Sequence, residues 1–517
     1  MATSYELKSR VEVLLDEEKG TIYKDAPYRV ALVYPSPYRV GMSSLGYQSI
    51  YRQLNRRDDV SCERSFLPDD PDEYRQSNTP LFTYESETPV GDCDIVAFSH
   101  SYELEIIGLL TCLELAGIPL RHAERGANWP LIVVGGPITF SNPIPVGPFA
   151  DVIVMGEGEE LIHLLVDWWK DYSDREAFLR DVALIPGIYV PSIHGEILRP
   201  VAQARDEYLP AFSPILTPNT ELSSMHLVEN ARGCHRGCTF CVMRRTTNGG
   251  MRAVEASRVL ATIPDHAERV GLVGAATSDH PQILEIMSSI VDSGRSVSLS
   301  SLRADRLNDD FVSILARGGA RTLTVASDGT SQRMRDFAKK GIKEKHIRRC
   351  AELVRDHDMR LLKLYMVFAY PGETMDDIEE MIDFVEELSS ICRVALGMSP
   401  LVAKKNTPLD GSPFEDGKSI EAKMKLLHKR IGRKVDIRST SHRWAWIEYE
   451  FSQGGFDMAD ASEEAYRNGG RFGAWKQAIR KHKKQGAPLA LPGNRLRSGA
   501  ILPEELQTIQ SQQALST

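Results

Sequence analysis

Three cysteines, Cys234, Cys238 and Cys241, lie within a span of eight residues in a chain of 517. Their spacing is Cys-x3-Cys-x2-Cys, and the next cysteine along the chain is Cys350. Cysteine thiolates are the usual ligands of iron–sulfur clusters, and a four-iron cluster that transfers electrons normally takes four of them. Three neighbouring thiolates would leave one iron open to a small molecule. The spacing therefore predicts a [4Fe-4S] cluster with an open coordination position.

Zinc binding and disulfide formation are the other uses of closely spaced cysteines. Structural zinc prefers four ligands, usually arranged as two separated pairs, and His235 could supply the fourth ligand only from inside the tight loop. Disulfide geometry prevents three cysteines this close from pairing among themselves. A cluster is the favoured interpretation, and zinc stays as the alternative.

Apolar strands alternate with helices before this loop. The pattern predicts strands at 29–34, 94–99, 130–134 and 151–155, and helices at 4–19, 45–54, 103–116 and 160–171. Continuous apolar strands alternating with helices are typical of a parallel, doubly wound sheet. Glycines follow the third and fourth strands, and ligands of such sheets bind at the carboxyl ends of the strands.

A second α/β series contains the cysteine loop. Strands are predicted at 226–230, 270–276, 297–302, 321–327, 361–369 and 393–399, with helices at 254–264, 281–293, 308–317, 344–357 and 375–388. Six βα units predict a partial (β/α)6 barrel related to the eight-unit form. Barrels place their chemistry at the carboxyl ends of strands, and the cysteine loop follows the first strand of this series.

The fold class expected is α/β, with two main domains and a helical C-terminal extension. The predicted ranges are 1–28 for an N-terminal helix, 29–185 for the doubly wound domain, 186–225 for a proline-rich linker, 226–417 for the barrel, 418–490 for C-terminal helices that pack on the barrel, and 491–517 for a disordered tail.

Composition narrows the possible functions. The net charge of −9 argues against a general binder of nucleic acid or anionic membranes. No apolar run reaches the roughly 20 residues of a membrane span, and the first residues lack the apolar core of a signal peptide. Eight cysteines, three of them in one loop, fit a reducing compartment. We therefore expect a cytoplasmic protein.

The Cys-x3-Cys-x2-Cys pattern, with Phe240 directly before the last cysteine, resembles the signature of the radical S-adenosylmethionine (radical SAM) enzymes. The resemblance covers residues 226–400. It implies that the open iron binds the amino and carboxylate groups of SAM, and that one electron from the cluster cleaves SAM to a 5′-deoxyadenosyl radical. It also implies an electron donor such as flavodoxin or ferredoxin.

The same resemblance suggests contacts to SAM. Phe240 would approach the adenine. Gly274, Ala275 and Ala276 stand where the family usually has a Gly-Gly-Glu-like stretch, and their backbone would reach the amino group. Arg303 would bind the carboxylate, with a surface ion pair as the alternative, and Asp328 would bind the ribose, with a turn or cap role as the alternative. No residue is marked as a catalytic acid or base.

The first domain resembles the cobalamin-binding domains that precede the barrel in one largely uncharacterised radical SAM subgroup. The matching positions predicted to contact cobalamin are Gly41, Ser43, Leu45, Ser99, Gly135, Gly136, Gly156 and Glu157. Cobalamin mutases carry Asp-x-His-x-x-Gly, whereas this chain has Ser36 and Tyr38 at the aspartate and histidine positions. A histidine ligand from this loop is therefore excluded, and the domain either binds cobalamin without one or lacks the cofactor.

Cobalamin-dependent methylation of an unactivated carbon, in a small-molecule or peptide substrate, is the favoured function. Cobalamin-independent radical chemistry (dehydrogenation, cyclisation or rearrangement) is the first alternative. A methylthiotransferase acting on RNA or protein is the second, with Cys62, Cys93 and Cys112 as ligands of an auxiliary cluster. Cys112 lies among leucines of a predicted helix, which is typical of a buried core cysteine and disfavours that alternative. A cluster-bearing redox sensor would be non-enzymatic.

Overall fold

Residues 2–243, 250–483 and 499–500 are described by the computed structural model of this chain. The contacts between residues divide the chain into two units. The first unit contains Met1–Ser224 and Gly454–Thr517, and the second contains Met225–Gln453. The chain therefore leaves the first unit, forms the whole of the second, and returns.

The first unit is built on a six-stranded sheet. Its strands are β1 (Tyr28–Tyr34), β2 (Val60–Phe66), β3 (Ile95–Ser99), β4 (Leu131–Gly135), β5 (Val152–Val154) and β6 (Ile188–Tyr189). Their order in the sheet is β2-β1-β3-β4-β5-β6. Strands β1 to β5 are parallel, and β6 is antiparallel to β5. The predicted doubly wound sheet is confirmed, and its strand order reverses direction between β1 and β3, where such sheets bind ligands.

Helices cover both faces of this sheet. They are α1 (Ser4–Asp16), α2 (Tyr38–Gly41), α3 (Leu45–Asn55), α4 (Pro71–Ser77), α5 (Ile106–Leu115), α6 (Leu161–Asp171), α7 (Arg175–Val182) and α8 (Pro191–His194). Polar caps fix several of their starts. Thr3 and Glu6 form a capping box on α1, and the Ser44 hydroxyl accepts from the amide of Tyr47 at the start of α3.

The segment predicted as a linker, 186–225, is folded into the first unit as far as Ser224. It contains β6, α8 and the short strand β7 (Ala202–Gln203). Apolar side chains between its prolines are buried, among them Leu198, Val201, Leu209 and Ile215. Proline spacing indicated a connection because proline interrupts regular elements, but burial of the intervening apolar residues holds the segment against the sheet.

The described residues of the second unit form nine strands: β8 (Met225–Glu229), β9 (Ala231–Gly233), β10 (Met251–Ala253), β11 (Arg269–Val273), β12 (Ser296–Leu299), β13 (Thr322–Ala326), β14 (Leu361–Phe368), β15 (Val394–Pro400) and β16 (Asp436–Ser439). Seven of them form two parallel sheets with the orders β12-β11-β8 and β13-β14-β15-β16. Strands β9 and β10 make a small antiparallel pair. All six predicted strands are present, and β16 is an additional one.

Helices alternate with these parallel strands, as expected for a partial barrel. They are α9 (Ala256–Leu260), α10 (Ile283–Asp292), α11 (Asp309–Arg317), α12 (Gln332–Phe337), α13 (Glu344–Asp356), α14 (Met375–Ile391), α15 (Gly417–Ile431) and α16 (His442–Gln453). Residues of β14 alternate between accessible and buried. One face of the sheet is therefore covered, whereas the other stays accessible.

The C-terminal helices are divided between the two units. Helix α16 belongs to the second unit, whereas α17 (Phe456–Arg467) and α18 (Phe472–His482) belong to the first. Arg121 of the first unit pairs with Asp460 and Glu463 of α17. The prediction assigned all C-terminal helices to the barrel, whereas α17 and α18 belong to the first unit.

The tail predicted at 491–517 lies outside the described residues, apart from Gly499–Ala500, which form β17 and pair with β7. Within the described residues, no helix has both the length and the apolarity needed to span a membrane.

Candidate cluster and cofactor site

The three cysteines line one cavity of about 300 Å³ in the second unit. The residues around it come from the segments that follow β9, β11, β12, β13 and α12, and from β13 and β14 themselves. They include Phe240, Ala275, Ala276, Ser300, Ser301, Arg303, Asp328, Lys340 and Tyr365. The carboxyl ends of parallel strands thus bring the cysteine loop together with most of the positions predicted to contact SAM.

An ion pair anchors the cysteine loop. The Arg236 guanidinium donates from Nε and Nη2 to the two carboxylate oxygens of Asp279, at 2.9 and 3.0 Å. Arg306 donates to the same carboxylate, and His235 Nε2 lies 3.6 Å from it. His235 is therefore directed at a carboxylate. Burial opposes ionisation of Asp279, but Arg236 outweighs it and holds the pKa of Asp279 below its usual value.

Backbone hydrogen bonds hold the loop at its other end. The Thr239 amide donates to the Ala338 carbonyl at 2.9 Å, and the Cys241 amide donates to the Cys238 carbonyl at 3.4 Å. The Arg236 amide donates to Cys234 Sγ at 3.4 Å. Amide donors to cluster sulfurs are one of the features that tune such clusters, so the loop is suited to its predicted ligand.

All three thiols are free and partly accessible. Burial raises the pKa of Cys238, and it raises the pKa of Cys241 to about 11. Metal binding to these cysteines would therefore release protons. Among the described residues, no three His, Cys, Asp or Glu side chains converge on a single ion position. The thiols instead surround a cavity, which fits a multi-iron cluster as the ligand.

Phe240 reaches the cavity from a small aromatic cluster. Its ring lies edge-on to Tyr370, with 6.4 Å between the centroids, and Phe337 packs on the same tyrosine at 5.9 Å. The Tyr370 hydroxyl donates to the Asp328 carbonyl at 3.0 Å. This cluster fixes Phe240 at the cavity wall, where an adenine could stack on it.

The stretch 274–276 approaches the cavity closely through its backbone. The Gly274 carbonyl accepts hydrogen bonds from Thr277, Ser300 and Ser301. A Cβ at Gly274 would lie 2.8 Å from the Ala231 carbonyl oxygen, so this position requires glycine. Gly274 itself does not line the cavity, whereas Ala275 and Ala276 do.

Arg303 and Asp328 both line the cavity with their charges already paired. Arg303 donates from Nε and Nη2 to the Asp305 carboxylate at 3.0 and 3.3 Å. Asp328 accepts from Lys340 Nζ at 2.6 Å, and its backbone has a positive φ of 49°. The predicted carboxylate fork and ribose contact would therefore compete with, or share, these ion pairs.

Several cavity residues were not predicted. Arg236 lies inside the cysteine motif, and a bidentate partner for it could have been sought among the acids that follow strands. Lys340 and Tyr365 carry no local signal in the sequence. Their positions depend on how the loop after β13 folds back and on the register of β14.

In the first unit, three of the residues predicted to bind cobalamin lie at neighbouring strand ends. Ser99 of β3 is directly opposite Gly135 of β4. Gly136 has a φ of 104°, and a Cβ there would lie 2.7 Å from the His100 carbonyl oxygen. The His100 side chain is buried, and burial lowers its pKa to about 4, against the effects of Glu103 and of a hydrogen bond to the Tyr102 backbone. Gly136 thus lies just past the carboxyl end of β4, where ligands of such sheets bind.

The other predicted cobalamin positions make contacts within the protein. Glu157 accepts from the Ala204 amide at 2.9 Å, and the Gly156 amide donates to the Thr139 hydroxyl at 3.0 Å. A Cβ at Gly41 would lie 2.6 Å from the Phe66 ring. Ser43 donates to the Arg39 carbonyl, and Leu45 begins α3. These residues shape the turns after β1 and β5, and their contact with cobalamin stays a prediction.

Cys62, Cys93 and Cys112 are buried. Burial raises the pKa of Cys93 to about 12, and burial alone raises the pKa of Cys112. Cys112 lies inside α5 with leucines on either side. Unlike the cysteines of the cavity, which are partly accessible, these three side chains are almost fully buried and therefore do not resemble a set of cluster ligands.

Family models match two parts of the chain. The model described as "Radical SAM proteins, N-terminal" matches residues 46–191, and the model described as "Radical SAM superfamily" matches residues 229–385. The second match contains the cysteine cavity. This chain belongs to the radical SAM superfamily. The radical SAM assignment made from the cysteine motif is thereby confirmed, and the protein is an enzyme of that superfamily.

Two curated proteins are similar to this chain in sequence. An uncharacterised protein of Methanocaldococcus jannaschii is 27% identical over 429 residues, which cover 81% of this chain and 85% of the relative. The ribosomal protein uS12 methylthiotransferase RimO of Thermus thermophilus is 26% identical over 281 residues, which cover 47% of this chain and 63% of the relative.

A solved structure shares the radical SAM fold of this chain. The radical S-adenosylmethionine methyltransferase TsrM from Kitasatospora setae, solved with cobalamin and a [4Fe-4S] cluster bound, is similar with a TM-score of 0.54. The similarity covers 88% of this chain and all of TsrM, at 13% sequence identity. Both the α/β domain and the radical SAM domain are thus found in one known architecture.

Proposed function

We propose that this radical SAM enzyme binds a [4Fe-4S] cluster and SAM in the cysteine cavity, and cobalamin at the sheet edge of its first unit. It would generate a 5′-deoxyadenosyl radical and methylate an unactivated carbon. One SAM molecule would be consumed as the radical source and another as the methyl donor. The observation that carries this proposal is that three free thiols line the same cavity as Phe240, Ala275, Ala276, Arg303 and Asp328.

The cavity residues have distinct tasks in this proposal. Cys234, Cys238 and Cys241 would ligate three irons and leave the fourth open. Phe240 would support the adenine from its position against Tyr370. When bound, the cluster would supply the electron that cleaves SAM, and a flavodoxin or ferredoxin would reduce it.

Charges around the cavity would hold SAM in place. Arg303 and Lys340 contribute positive charge to the wall, and each pairs with a carboxylate: Lys340 with Asp328 of the same wall and Arg303 with Asp305 behind it. The SAM carboxylate would interact with Arg303, and the ribose hydroxyls would donate to Asp328. Because both pairs are partly buried, their orientation is fixed before SAM arrives.

Cobalamin would occupy the carboxyl edge of β3 and β4 in the first unit. Ser99, Gly135 and Gly136 present backbone and hydroxyl groups there, with the buried His100 next to them. Similarity to TsrM, whose structure holds cobalamin, supports the cofactor. Tyr38 donates its hydroxyl to Glu18 at 2.6 Å, so the residue at the position of the mutase histidine has a structural role.

Metal and product analysis tests the proposal. The protein is purified without oxygen from cells supplied with cobalamin, its cluster is reconstituted, and iron, cobalt and 5′-deoxyadenosine are measured. We expect about four irons, close to one cobalamin, and SAM cleavage. Iron and SAM cleavage without cobalt would overturn the methylase and favour cobalamin-independent dehydrogenation, cyclisation or rearrangement. Absence of SAM cleavage in a cluster-loaded protein would leave only a redox sensor.

A methylthiotransferase is the second candidate, favoured by the similarity to RimO. It requires an auxiliary cluster in the first unit. Iron content decides between the two: we expect about four irons per chain, and a value near eight would indicate two clusters. We place the enzyme in the cytoplasm, where its eight free cysteines would stay reduced.

A further inference from the structure

The inner face of the sheet β13–β16 is accessible beside the cysteine cavity. Tyr365 of β14 lines that cavity and is 46% exposed, whereas its strand neighbours Leu364 and Met366 are fully buried on the other face. Ser399 of β15 is also exposed. Barrel interiors are usually filled by packed side chains, so an accessible inner face leaves room for a substrate.

Gly397 determines how the Tyr365 ring lies. These two residues are direct partners in the register of β14 and β15. A Cβ at Gly397 would lie 2.7 and 2.8 Å from two carbon atoms of the tyrosine ring. Glycine within a strand often marks a close approach of another group. Here it lets the ring lie against β15 and form part of the inner wall.

Lys363 brings positive charge to this wall. It lies two residues before Tyr365, on the same face of β14. Its Nζ donates to the Tyr365 hydroxyl at 3.0 Å and lies 4.7 Å from the centre of the ring. Each of the three cations that line the cavity pairs with a carboxylate: Arg236 with Asp279, Arg303 with Asp305 and Lys340 with Asp328. Within the described part of the chain, Lys363 pairs with none.

An ammonium group has three donors, and the tyrosine hydroxyl accepts only one of them. Hydroxyls continue the polar wall on the neighbouring strands, where Ser399 Oγ lies 3.0 Å from Thr440 Oγ1. Charge and hydroxyls together favour an anionic ligand on this face.

We propose that this inner face binds a small organic acid, whose carboxylate or phosphate pairs with Lys363 and whose carbon skeleton packs on the Tyr365 ring. The inference depends on the proposed function, because it names the substrate class of the same site. Lys363 and Tyr365 act as binding residues that set specificity. The radical chemistry itself requires neither of them.

Equilibrium dialysis tests this proposal. Cluster-loaded protein with SAM is dialysed against small molecules from cell extract, separated beforehand into a pool retained by an anion exchanger and a neutral pool. Bound compounds are identified by mass spectrometry. We expect wild-type protein to enrich compounds of the retained pool, and Lys363→Gln to enrich them about tenfold less, as for loss of a charge-assisted hydrogen bond. Phosphatase treatment of the pool distinguishes a phosphate monoester from a carboxylate.

Lys345→Gln is the matched control, because it removes the same charge from an exposed position on α13. It should bind as wild type does. Iron content and SAM affinity show whether Lys363→Gln is folded and loaded. If wild type and Lys363→Gln retain the same compounds, or if only neutral compounds are retained, the proposal is wrong. Failure of the radical SAM function is seen separately, as wild-type protein that forms no 5′-deoxyadenosine.

Discussion

Single residues determine whether the cavity can hold its cofactors. Among the described residues that line it, Cys234, Cys238 and Cys241 supply the thiols, which are the side chains there best suited to bind an iron–sulfur cluster. Replacement of Cys238 by alanine should lower iron content sharply and reduce 5′-deoxyadenosine formation to background. Cys392→Ala removes a half-buried thiol elsewhere in the second unit and should retain both properties. A Cys238→Ala protein that still cleaves SAM would contradict the cluster assignment.

Asp328 distinguishes a SAM contact from a turn residue. If its carboxylate accepts from the ribose, Asp328→Asn should raise the KM for SAM about tenfold, because a charge-assisted hydrogen bond is lost, and leave iron content unchanged. If Asp328 only stabilises the left-handed turn at its φ of 49°, the KM should not change, because asparagine tolerates that conformation. Asp310→Asn, at an exposed position on α11, is the control for the loss of one negative charge.

Glu105 gives the first unit a specific pH dependence. Burial raises the pKa of Glu105 to about 7, although the Ser101 amide and the Ser36 hydroxyl donate to its carboxylate. The folded state therefore binds this proton more tightly than the unfolded state. The resulting stability is complete below the unfolded pKa near 4.5 and is lost as the pH rises through about 7.

Urea unfolding at pH 5 and pH 8 measures this effect. The wild-type midpoint should fall more over that interval than the midpoint of Glu105→Gln, whose amide cannot ionise. The difference corresponds to at most about 3 kcal/mol. Parallel changes in the two proteins would show that Glu105 is not protonated in the folded state.

Elements of the second unit are joined by a buried ion pair. Glu373, in the loop between β14 and α14, accepts from Lys423 of α15 at 2.9 Å, and both side chains are almost fully buried. It also accepts from Thr330, after β13, and from the Ala369 amide. The Tyr370–Thr374 motif therefore connects three βα units, which explains its presence without a catalytic role.

Glu373→Gln should destabilise the second unit by about 1–3 kcal/mol, because a buried carboxylate acceptor is lost, although Glu415 still accepts from Lys423 at 2.7 Å. The double variant with Lys423→Met should be more stable than Lys423→Met alone, because that single variant leaves the buried Glu373 carboxylate without its ammonium partner. Thermal unfolding of the single and double variants checks this. A double variant less stable than either single one would contradict the pairing.

The elements could be predicted to the extent that their sequences are apolar. Strands such as β1, β4 and β14 were predicted within one or two residues. Strand β2 was missed because Ser61, Glu63, Arg64 and Ser65 interrupt any hydrophobic pattern, although all of them are buried. Arg64 is held by Glu18 and Glu85 at 2.7 and 2.6 Å. Such pairing is visible only in three dimensions.

At the cofactor site, too, the residues that depend on local sequence could be predicted, whereas the residues that only the fold brings together could not. The motif spacing predicted the cysteines and Phe240, since these depend on one loop. Lys340, Lys363 and Tyr365 were missed, because strand register and the packing of distant segments bring Lys340 and Tyr365 to the cavity and Lys363 to the sheet face beside it. A charged residue on a strand of alternating polarity ordinarily points into solvent. Lys363 differs because its strand face is the accessible inner face of the sheet beside the cavity.

At the scale of the whole molecule, the first unit is discontinuous in sequence. Helices α17 and α18 complete it through Arg121 and through the Asn142 amide, which donates to the Gly454 carbonyl at 2.8 Å. A chain that ends at Gln453 should therefore unfold at lower temperature and aggregate, whereas a chain that ends at Ala500 should remain folded. Light scattering and thermal unfolding of the two truncated proteins test this. Equal behaviour would show that these helices add no stability.

This discontinuity affects the order of events on the ribosome. Residues 1–224 emerge first, but the two helices that finish their unit are synthesised only after residues 225–453. Throughout that interval Gly147, whose Cβ position lies 2.9 Å from the Phe456 ring in the finished protein, lacks its covering aromatic. We expect the nascent chain to depend on chaperones until translation passes α18, and the second unit to acquire its fold before the first is closed.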